Sequence, residues 1–449
     1  MTQLSVQPPG QCPFDPYAAA AAHTTDAAYA WMREQSPVYQ LPGTNVFLIT
    51  RFDDIVAAAR DTETFSNEFV SPGVALGEGS SAIAAELAAI RATGYPVVST
   101  MLTRDAPAHT RFRRLTTRAF SSRRISSWEP DVVRITEQLI DGFIDDGEVE
   151  FVSGFAVPLP VRVIAFALGV PAEREREFKE WTNHATATIG ADPGDAARLA
   201  AARGLVAFQR YFAGELEQRR ADPRDDFLTD LLNAEIVDDD EIADRRPLDM
   251  PEMLNILHQL LVAGNETTTA LLASAVIELS DRPDLRRAIG TDRTVAKTVV
   301  EELLRMSSPA QGMFRIVRRD VTVAGTPIPK GATAILMYGS GNRDAARFEA
   351  PDELRLDRDA AQHLSFGHGT HFCIGARLSR LEAEIALTHL CRRIDTMWLA
   401  GTPTYKPSFV LSGPLKVPLG FTAAPNTGDG FEHHLDQMDS TPQGVTNDR

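Results

Sequence analysis

The spacing of apolar residues reads as helix after helix through the middle of the chain. Periodicity near 3.6 residues runs across 128–146, 155–168, 172–189, 194–220, 292–306 and 376–394. Strand-like pieces lie nearer the ends. Residues 45–50 read Asn-Val-Phe-Leu-Ile-Thr, and 321–337 is punctuated by Gly325, Pro327, Pro329 and Gly331. The longest helical stretch is 251–280. Pro251, just after Asp249, suits a helix start, and the stretch ends before Pro283. Thirty helical residues span roughly 45 Å, about the diameter of a domain. Leu254, Leu257, Leu261, Leu271 and Leu272 are not confined to one stripe, which places this helix in the interior. No internal repeat or linker divides the chain. The pattern predicts one large, mainly α domain with small β-sheets over 25–424, an N-terminal extension over 1–24 and a polar, disordered tail over 425–449. His433 and His434 in that tail read as solvated side chains.

Charge narrows the partners. The 449 residues carry 45 Lys and Arg against 61 Asp and Glu, a net charge of -16, which argues against a general nucleic-acid binder. The three cysteines, Cys12, Cys373 and Cys391, make no disulfide framework and fit a reducing cytoplasm. The N-terminal stretch has neither a basic n-region nor an apolar run near 20 residues, so neither a signal peptide nor a membrane anchor is expected.

The most informative stretch is Phe366-Gly367-His368-Gly369-Thr370-His371-Phe372-Cys373-Ile374-Gly375, leading into the helix near Ala376. Three glycines around one cysteine suggest a tight turn and close approach of a ligand to the backbone. The helix that follows sets a positive dipole end and amide N–H groups near the sulfur, which favours a low-pKa thiolate. Phe366 and Phe372 are placed to shield it from water. Other chemistries stay open on the loop alone: an ordinary buried cysteine, part of a zinc site with His368 and His371, or a nucleophile with His371 as base.

The pattern Phe-Gly-x-Gly-x-His-x-Cys-x-Gly resembles the haem-binding loop of the cytochromes P-450 and matches it at every position. The resemblance implies a mainly α fold with small sheets and a long central helix over haem b. It also implies Cys373 as proximal iron ligand and His371 at a haem propionate. It extends along the chain in order. Ala263-Gly-Asn-Glu266-Thr267-Thr, inside the long helix, resembles the oxygen-activation motif, with Glu266 and Thr267 as an acid–alcohol pair delivering protons. Gly264 is costly in mid-helix, and Thr267 can bond the Ala263 carbonyl, loosening the helix into a groove. Glu302-x-x-Arg305 on the 292–306 helix, with Arg358 as third member, resembles the family's buried ion pair bracing the cysteine loop. Leu354 stands where the family usually has an aromatic. His109 and Arg113, four apart on one helix face, and Arg315, before a strand, resemble further propionate ligands.

Arg111, Arg113, Arg114, Arg118, Arg123 and Arg124 form a local basic patch, to which Arg377 and Arg380 add. With no flavin or iron–sulfur segment in the chain, the patch is expected to dock an acidic ferredoxin supplied by its own reductase, or a flavodoxin. Substrate contacts are expected from 70–100, from 185–196, and from Leu260, Ala263, Gln311 to Phe314 (Met313 included) and Phe409 to Leu411 (Val410 included). These are mostly small or apolar, which predicts a hydrophobic substrate: a sterol, terpenoid, fatty acid or aromatic. The leading reading is a cytoplasmic monooxygenase using O2. The alternatives are a peroxide-driven peroxygenase, a haem-based sensor or ligand-binding protein without turnover, and a zinc-dependent hydrolase.

Overall fold

The computed structural model of the chain describes residues 25–68, 83–117, 120–186, 194–235, 245–406 and 408–425. The expectations for 1–24, for the tail from 426, for Arg118 and for parts of the 70–100 and 185–196 segments lie outside these described residues. The helices that carry or cover the site are α1 (Ala108–Thr117), α2 (Pro158–Ala167), α3 (Glu175–Thr186), α4 (Gly194–Ala221), α5 (Met250–Ser280), α6 (Arg293–Ser307) and α7 (Ala376–Arg393). The predicted 128–146 helix is shorter, Glu129–Asp141. The 155–168 stretch divides into a π-helical turn, Val152–Ala156, and α2, because Pro158 cannot donate to a continuing ladder.

The start of α5 is written locally. The Asp249 side chain accepts from the Glu252 N–H at 2.9 Å, and the Glu252 carboxylate accepts from the Asp249 N–H at 3.0 Å. This reciprocal cap satisfies two of the helix's orphan donors. Along its length α5 packs against α2, α3, α4, α6 and α7. Leu254, Leu257, Leu261, Leu271 and Leu272 are each at most 1% exposed, so the helix is interior along most of its length. It is long and apolar enough to cross a membrane, but most of its apolar window is buried within the fold.

Near the ends of the chain lies a five-stranded sheet of β1 (Val38–Gln40), β2 (Val46–Ile49), β3 (Phe65–Ser66), β4 (Met313–Val317) and β5 (Thr333–Leu336), ordered β1-β2-β5-β4-β3. β2 and β5 pair in parallel with Val46 opposite Thr333, and the other pairs are antiparallel. Arg315 was expected before a strand and instead sits inside β4, opposite Ala334. A buried arginine in mid-strand interrupts the apolar alternation, which hides the strand from a periodicity reading.

The Glu382 side chain, in mid-α7, is buried, and its Oε2 has no hydrogen-bond partner among the described residues. Burial pushes its carboxyl up to about 8. The folded chain therefore holds a proton there that the unfolded chain releases above the ordinary carboxylate range. Its contribution to stability is full at low pH and is lost as pH rises through about 8. Glu382→Gln should flatten that slope by on the order of a few kcal/mol. Urea midpoints of both proteins across this range check it; parallel pH profiles would disprove it.

Candidate active site

The cysteine loop folds as its glycines require. Gly367 and Gly369 have φ of +72° and +73°, a region that side chains with a Cβ rarely enter. A Cβ on Gly369 would also lie 3.1 Å from the Ala59 carbonyl oxygen. The turn closes with Cys373 N–H donating to the Phe366 carbonyl at 2.9 Å. Cys373 then sits just before α7, with the N–H groups of Gly375 and Ala376 directed at its sulfur. Burial pushes the thiol up, while these N–H groups, Arg113 and Arg380 pull it down; burial prevails. The expected low-pKa thiol is thus corrected: in the protein alone, desolvation outweighs the helix end. Of the two flanking rings Phe366 is buried, but Phe372 is 41% exposed, so one phenyl, not two, shields the sulfur.

Beside this loop, α1, β4 and the residues before Cys373 bring together His109, Arg113, Arg315 and His371. The His109 and His371 rings lie 4.2 Å apart between centroids. Burial, then the neighbouring charges, push His371 down to about 3; burial and Arg113 push His109 down to about 4. Buried His109 Nδ1, His371 Nε2 and Arg315 Nε have no hydrogen-bond partner among the described residues. A buried donor without a partner costs about 1–3 kcal/mol. Two neutral imidazoles and two guanidiniums next to a thiol fit a group that brings carboxylates, as the propionates of haem do. The same geometry answers the zinc reading. His368 accepts from Arg60 at 3.0 Å, and no three His, Cys, Asp or Glu side chains converge as a metal site among the described residues.

On α5, Thr267 donates to the Ala263 carbonyl at 2.9 Å, and Ala263 is exposed one turn before it. The helix nevertheless runs unbroken from Met250 to Ser280, so the expected loosening is absent. A Cβ on Gly264 would meet nothing of the protein nearer than Ile164 at 4.0 Å. Glu266 is ion-paired with Lys406, a partner that nothing in the local sequence signals. Its neighbour Asn265 donates to Thr182 of α3 at 3.0 Å.

Glu302 and Arg305 are fully buried and pair in a fork, Nε to Oε1 at 2.8 Å and Nη2 to Oε2 at 3.0 Å. Arg358 lies 3.4 Å from Glu302. Arg305 also donates to the carbonyls of Asn342, Pro351 and Glu353. Leu354, at the position usually aromatic, is half-buried against the main core. The group that ties together the two flanks of the cysteine loop is the preceding residue, Glu301, which sequence reasoning missed. It pairs with His363 at 3.3 Å and Arg380 at 2.5 Å. Burial opposes its ionisation, but these two hydrogen bonds hold it at about 2. Arg380 in turn lies 4.5 Å over the Phe366 ring.

The arginine patch is smaller than expected. Arg111 is buried on the inner face of α1 and pairs with Glu252 at 3.0 Å, so it is removed from the docking set. Arg124 is neutralised by Asp225 at 2.8 Å and Asp230 at 2.6 Å. Arg380 is taken by Glu301, and Arg377 donates to Ser126 at 3.2 Å. Arg114 and Arg123 are exposed. The substrate set also shrinks. Phe314 alternates with Arg315 along β4, so its side chain faces away from the site. It packs with Val410, Tyr29, Met32 and Phe409 in a separate core cluster. Leu260 is buried on α5, while Met313 and Leu411 are half-buried.

A long helix passing a cysteine loop, beside a cluster of histidine and arginine donors that includes three buried nitrogens unmatched among the described residues, fits a haem site, and comparison with known proteins agrees. A family profile described as Cytochrome P450 matches residues 205–404. The chain is 35% identical over 401 residues to Cytochrome P450 107B1 of Saccharopolyspora erythraea, covering 87% of this chain and 93% of that one. It is 35% identical over 366 residues to Vitamin D(3) 25-hydroxylase of Pseudonocardia autotrophica, covering 81% and 84%. The solved structure of Cytochrome P450 CYP109Q5 from Chondromyces apiculatus superposes with a TM-score of 0.79 at 33% identity, covering 92% of this chain and 98% of that one. The chain belongs to the cytochrome P-450 family. It is a haem-dependent monooxygenase that uses O2 and takes electrons from a transfer partner.

Proposed function

We propose that this enzyme inserts one oxygen atom into a hydrophobic small molecule, a sterol, terpenoid, fatty acid or aromatic, using haem b held by Cys373. The observation that carries this reading is the placement of Cys373 ahead of α7 beside His109, Arg113, Arg315 and His371, of which His109 Nδ1, Arg315 Nε and His371 Nε2 are buried without a hydrogen-bond partner among the described residues. Haem, when bound, supplies O2 activation. The four donors hold its two propionates, which at the edge of an apolar pocket need pairing. The Gly375 and Ala376 N–H groups donate to the sulfur and would stabilise the thiolate that a bound metal favours. Thr267 passes protons received from Glu266 into the pocket, since reducing one oxygen atom to water consumes two of them. Leu260, Ala263, Met313 and Leu411 offer the substrate an apolar wall. Likeness to a vitamin D3 hydroxylase supports sterol-sized ligands as the first class to try. Arg114 and Arg123, with Arg118, receive a ferredoxin (a flavodoxin being the other candidate) in the cytoplasm, where the thiols stay reduced.

The experiment is an optical titration of the haem-loaded protein with a panel of sterols, terpenes and fatty acids. At least one member should convert low-spin to high-spin iron. With that compound, Thr267→Ala should leave NADPH consumption running while product falls and peroxide rises, by about a hundredfold in their ratio. Unchanged coupling would remove Thr267 from proton delivery, and a flat titration across the panel would refute the substrate class.

A further inference from the structure

Lys406 belongs to the C-terminal hairpin in which Thr404–Tyr405 pairs with Pro414–Lys416. This hairpin leans directly on α5. A Cβ on Gly413 would lie 2.4 Å from the Ala270 Cβ, so only glycine allows the approach. The Lys406 N–H donates to the Gly413 carbonyl at 3.2 Å, and the hairpin is tied down again where Ser412 N–H donates to Pro309 and Gln311 N–H to Val410. Ala270 lies one turn beyond Glu266, and the same docking sets the Lys406 ammonium against the Glu266 carboxylate. The Lys406 side chain is 27% exposed and that of Glu266 is 17% exposed. Lys406 is thus the more exposed member of the pair, and Thr267 adjoins Glu266 in sequence on α5. Thr267 spends its own proton on the Ala263 carbonyl, leaving its oxygen lone pairs free to accept one.

We propose that Lys406 positions Glu266 and reloads it, its ammonium being the solvent-side proton source of the Glu266–Thr267 relay. The inference rests on the relay reading above and adds its outer end. A proton leaves Lys406 Nζ for a carboxylate oxygen of Glu266, and from that carboxyl it passes to the Thr267 oxygen, while the hydroxyl proton that Thr267 had directed at the Ala263 carbonyl leaves for the pocket. The neutral amine then takes a proton from bulk solvent, so the three side chains return to their starting states and the net transfer is one proton from solvent to the pocket. Burial supports the first transfer, because a half-dry site disfavours two opposite charges relative to a neutral pair. In keeping with this, burial lowers the Lys406 ammonium to about 8, near enough to neutrality to give up its proton.

Arginine separates this role from that of a mere counter-ion, since a guanidinium keeps the ion pair but does not release a proton near neutral pH. The haem-loaded enzyme and its Lys406→Arg, Lys406→Met, Lys406→Gln and Glu266→Gln variants are driven by NADPH through a ferredoxin and its reductase. No organic substrate is added. Two NADPH are consumed per O2 when both oxygen atoms leave as water, and one when peroxide leaves. The CO difference band of each reduced variant verifies that haem is seated, and Gln replaces Met as the neutral variant should Met lose that band.

The expected result is that Lys406→Arg and the neutral variant both shift the products toward peroxide. The rate of water formation should fall about tenfold, less than the hundredfold typical of a lost proton-transfer group because bulk water still leaks in. The solvent deuterium isotope effect on that rate should rise in both. Arginine performing like wild type beside an impaired neutral variant would reduce Lys406 to a counter-ion and overturn the proposal. Wild-type behaviour in both would overturn it as well. If Glu266→Gln itself changes neither product ratio nor isotope effect, the relay reading fails, and the Lys406 proposal falls with it. Impairment in Glu266→Gln alone leaves the relay standing and removes only Lys406.

Discussion

Replacing Cys373 by alanine should abolish the thiolate-specific Soret band of the CO-bound, dithionite-reduced protein and with it all monooxygenation. The thiolate pushes electron density toward the iron and favours O–O cleavage, and no neighbouring side chain offers that. The nearby His109 and His371, whose ring centroids lie 4.2 Å apart, are assigned to the propionates, and a neutral imidazole in any case lacks the thiolate's electron push. The fold itself should survive the change. The loop is fixed by backbone, through the Cys373 N–H to Phe366 carbonyl bond and the positive-φ glycines, and by the Glu301 clamp on His363 and Arg380. Urea denaturation should therefore differ little between Cys373→Ala and wild type when both lack haem. The spectrum and the denaturation curve together separate a lost ligand from a lost fold. A colourless wild-type protein carrying stoichiometric zinc, or a variant that kept the band, would refute the assignment.

The features legible in the sequence were those coded locally. The cysteine loop announces itself within ten consecutive residues, and α5 begins where Asp249, Pro251 and Glu252 write a cap. Thr267 and Ala263 are one helical turn apart, so their bond could be anticipated. Errors came where the partner lies far along the chain. The arginines from 111 to 124 look like one basic surface, yet helix geometry sends Arg111 inward while Arg114 points out. Arg111 meets Glu252, 141 residues away, and Arg124 meets Asp225 and Asp230 across more than a hundred residues. The Glu266–Lys406 pair depends on a hairpin docking against Ala270, a contact that glycine at 413 permits without signalling. Strand alternation in β4 decides that Phe314 leaves the site that Arg315 faces, and this could be read only once the strand was recognised. The thiol of Cys373 shows the same limit in energetic form: the helix end is visible in sequence, whereas the depth of burial that opposes it is not.

Glu302→Ala is expected to be the most damaging single change to stability, at about 3–5 kcal/mol, because it leaves a fully buried arginine without its counter-ion. A domain holds only about 5–15 kcal/mol in all, so folding at physiological temperature should be compromised. More than one bond is lost. The Glu302 carboxylate also accepts from the Arg355 N–H at 2.9 Å and faces Arg358 at 3.4 Å, so the 349–358 segment loses its anchor as well. An isolated buried ion pair can often be replaced by apolar residues at no cost. This one should behave differently, because Arg305 donates to the carbonyls of Asn342, Pro351 and Glu353 in addition to Glu302. The double variant Glu302→Leu with Arg305→Met removes the unpaired charge but strands the carbonyls of Asn342 and Pro351, each costing about 1–3 kcal/mol, while that of Glu353 keeps Arg358. It should therefore be no more stable than Glu302→Ala, as read from urea midpoints and from the fraction of protein that retains haem. Asn342 then carries the damage onward. Its side chain joins Ser308, Ser365 and the Leu364 N–H, so a slackened 342–358 segment reaches the residues that lead into the cysteine loop. Recovery of wild-type stability in the double variant would show instead that the pair stands alone and that the loop is held by Glu301 without it.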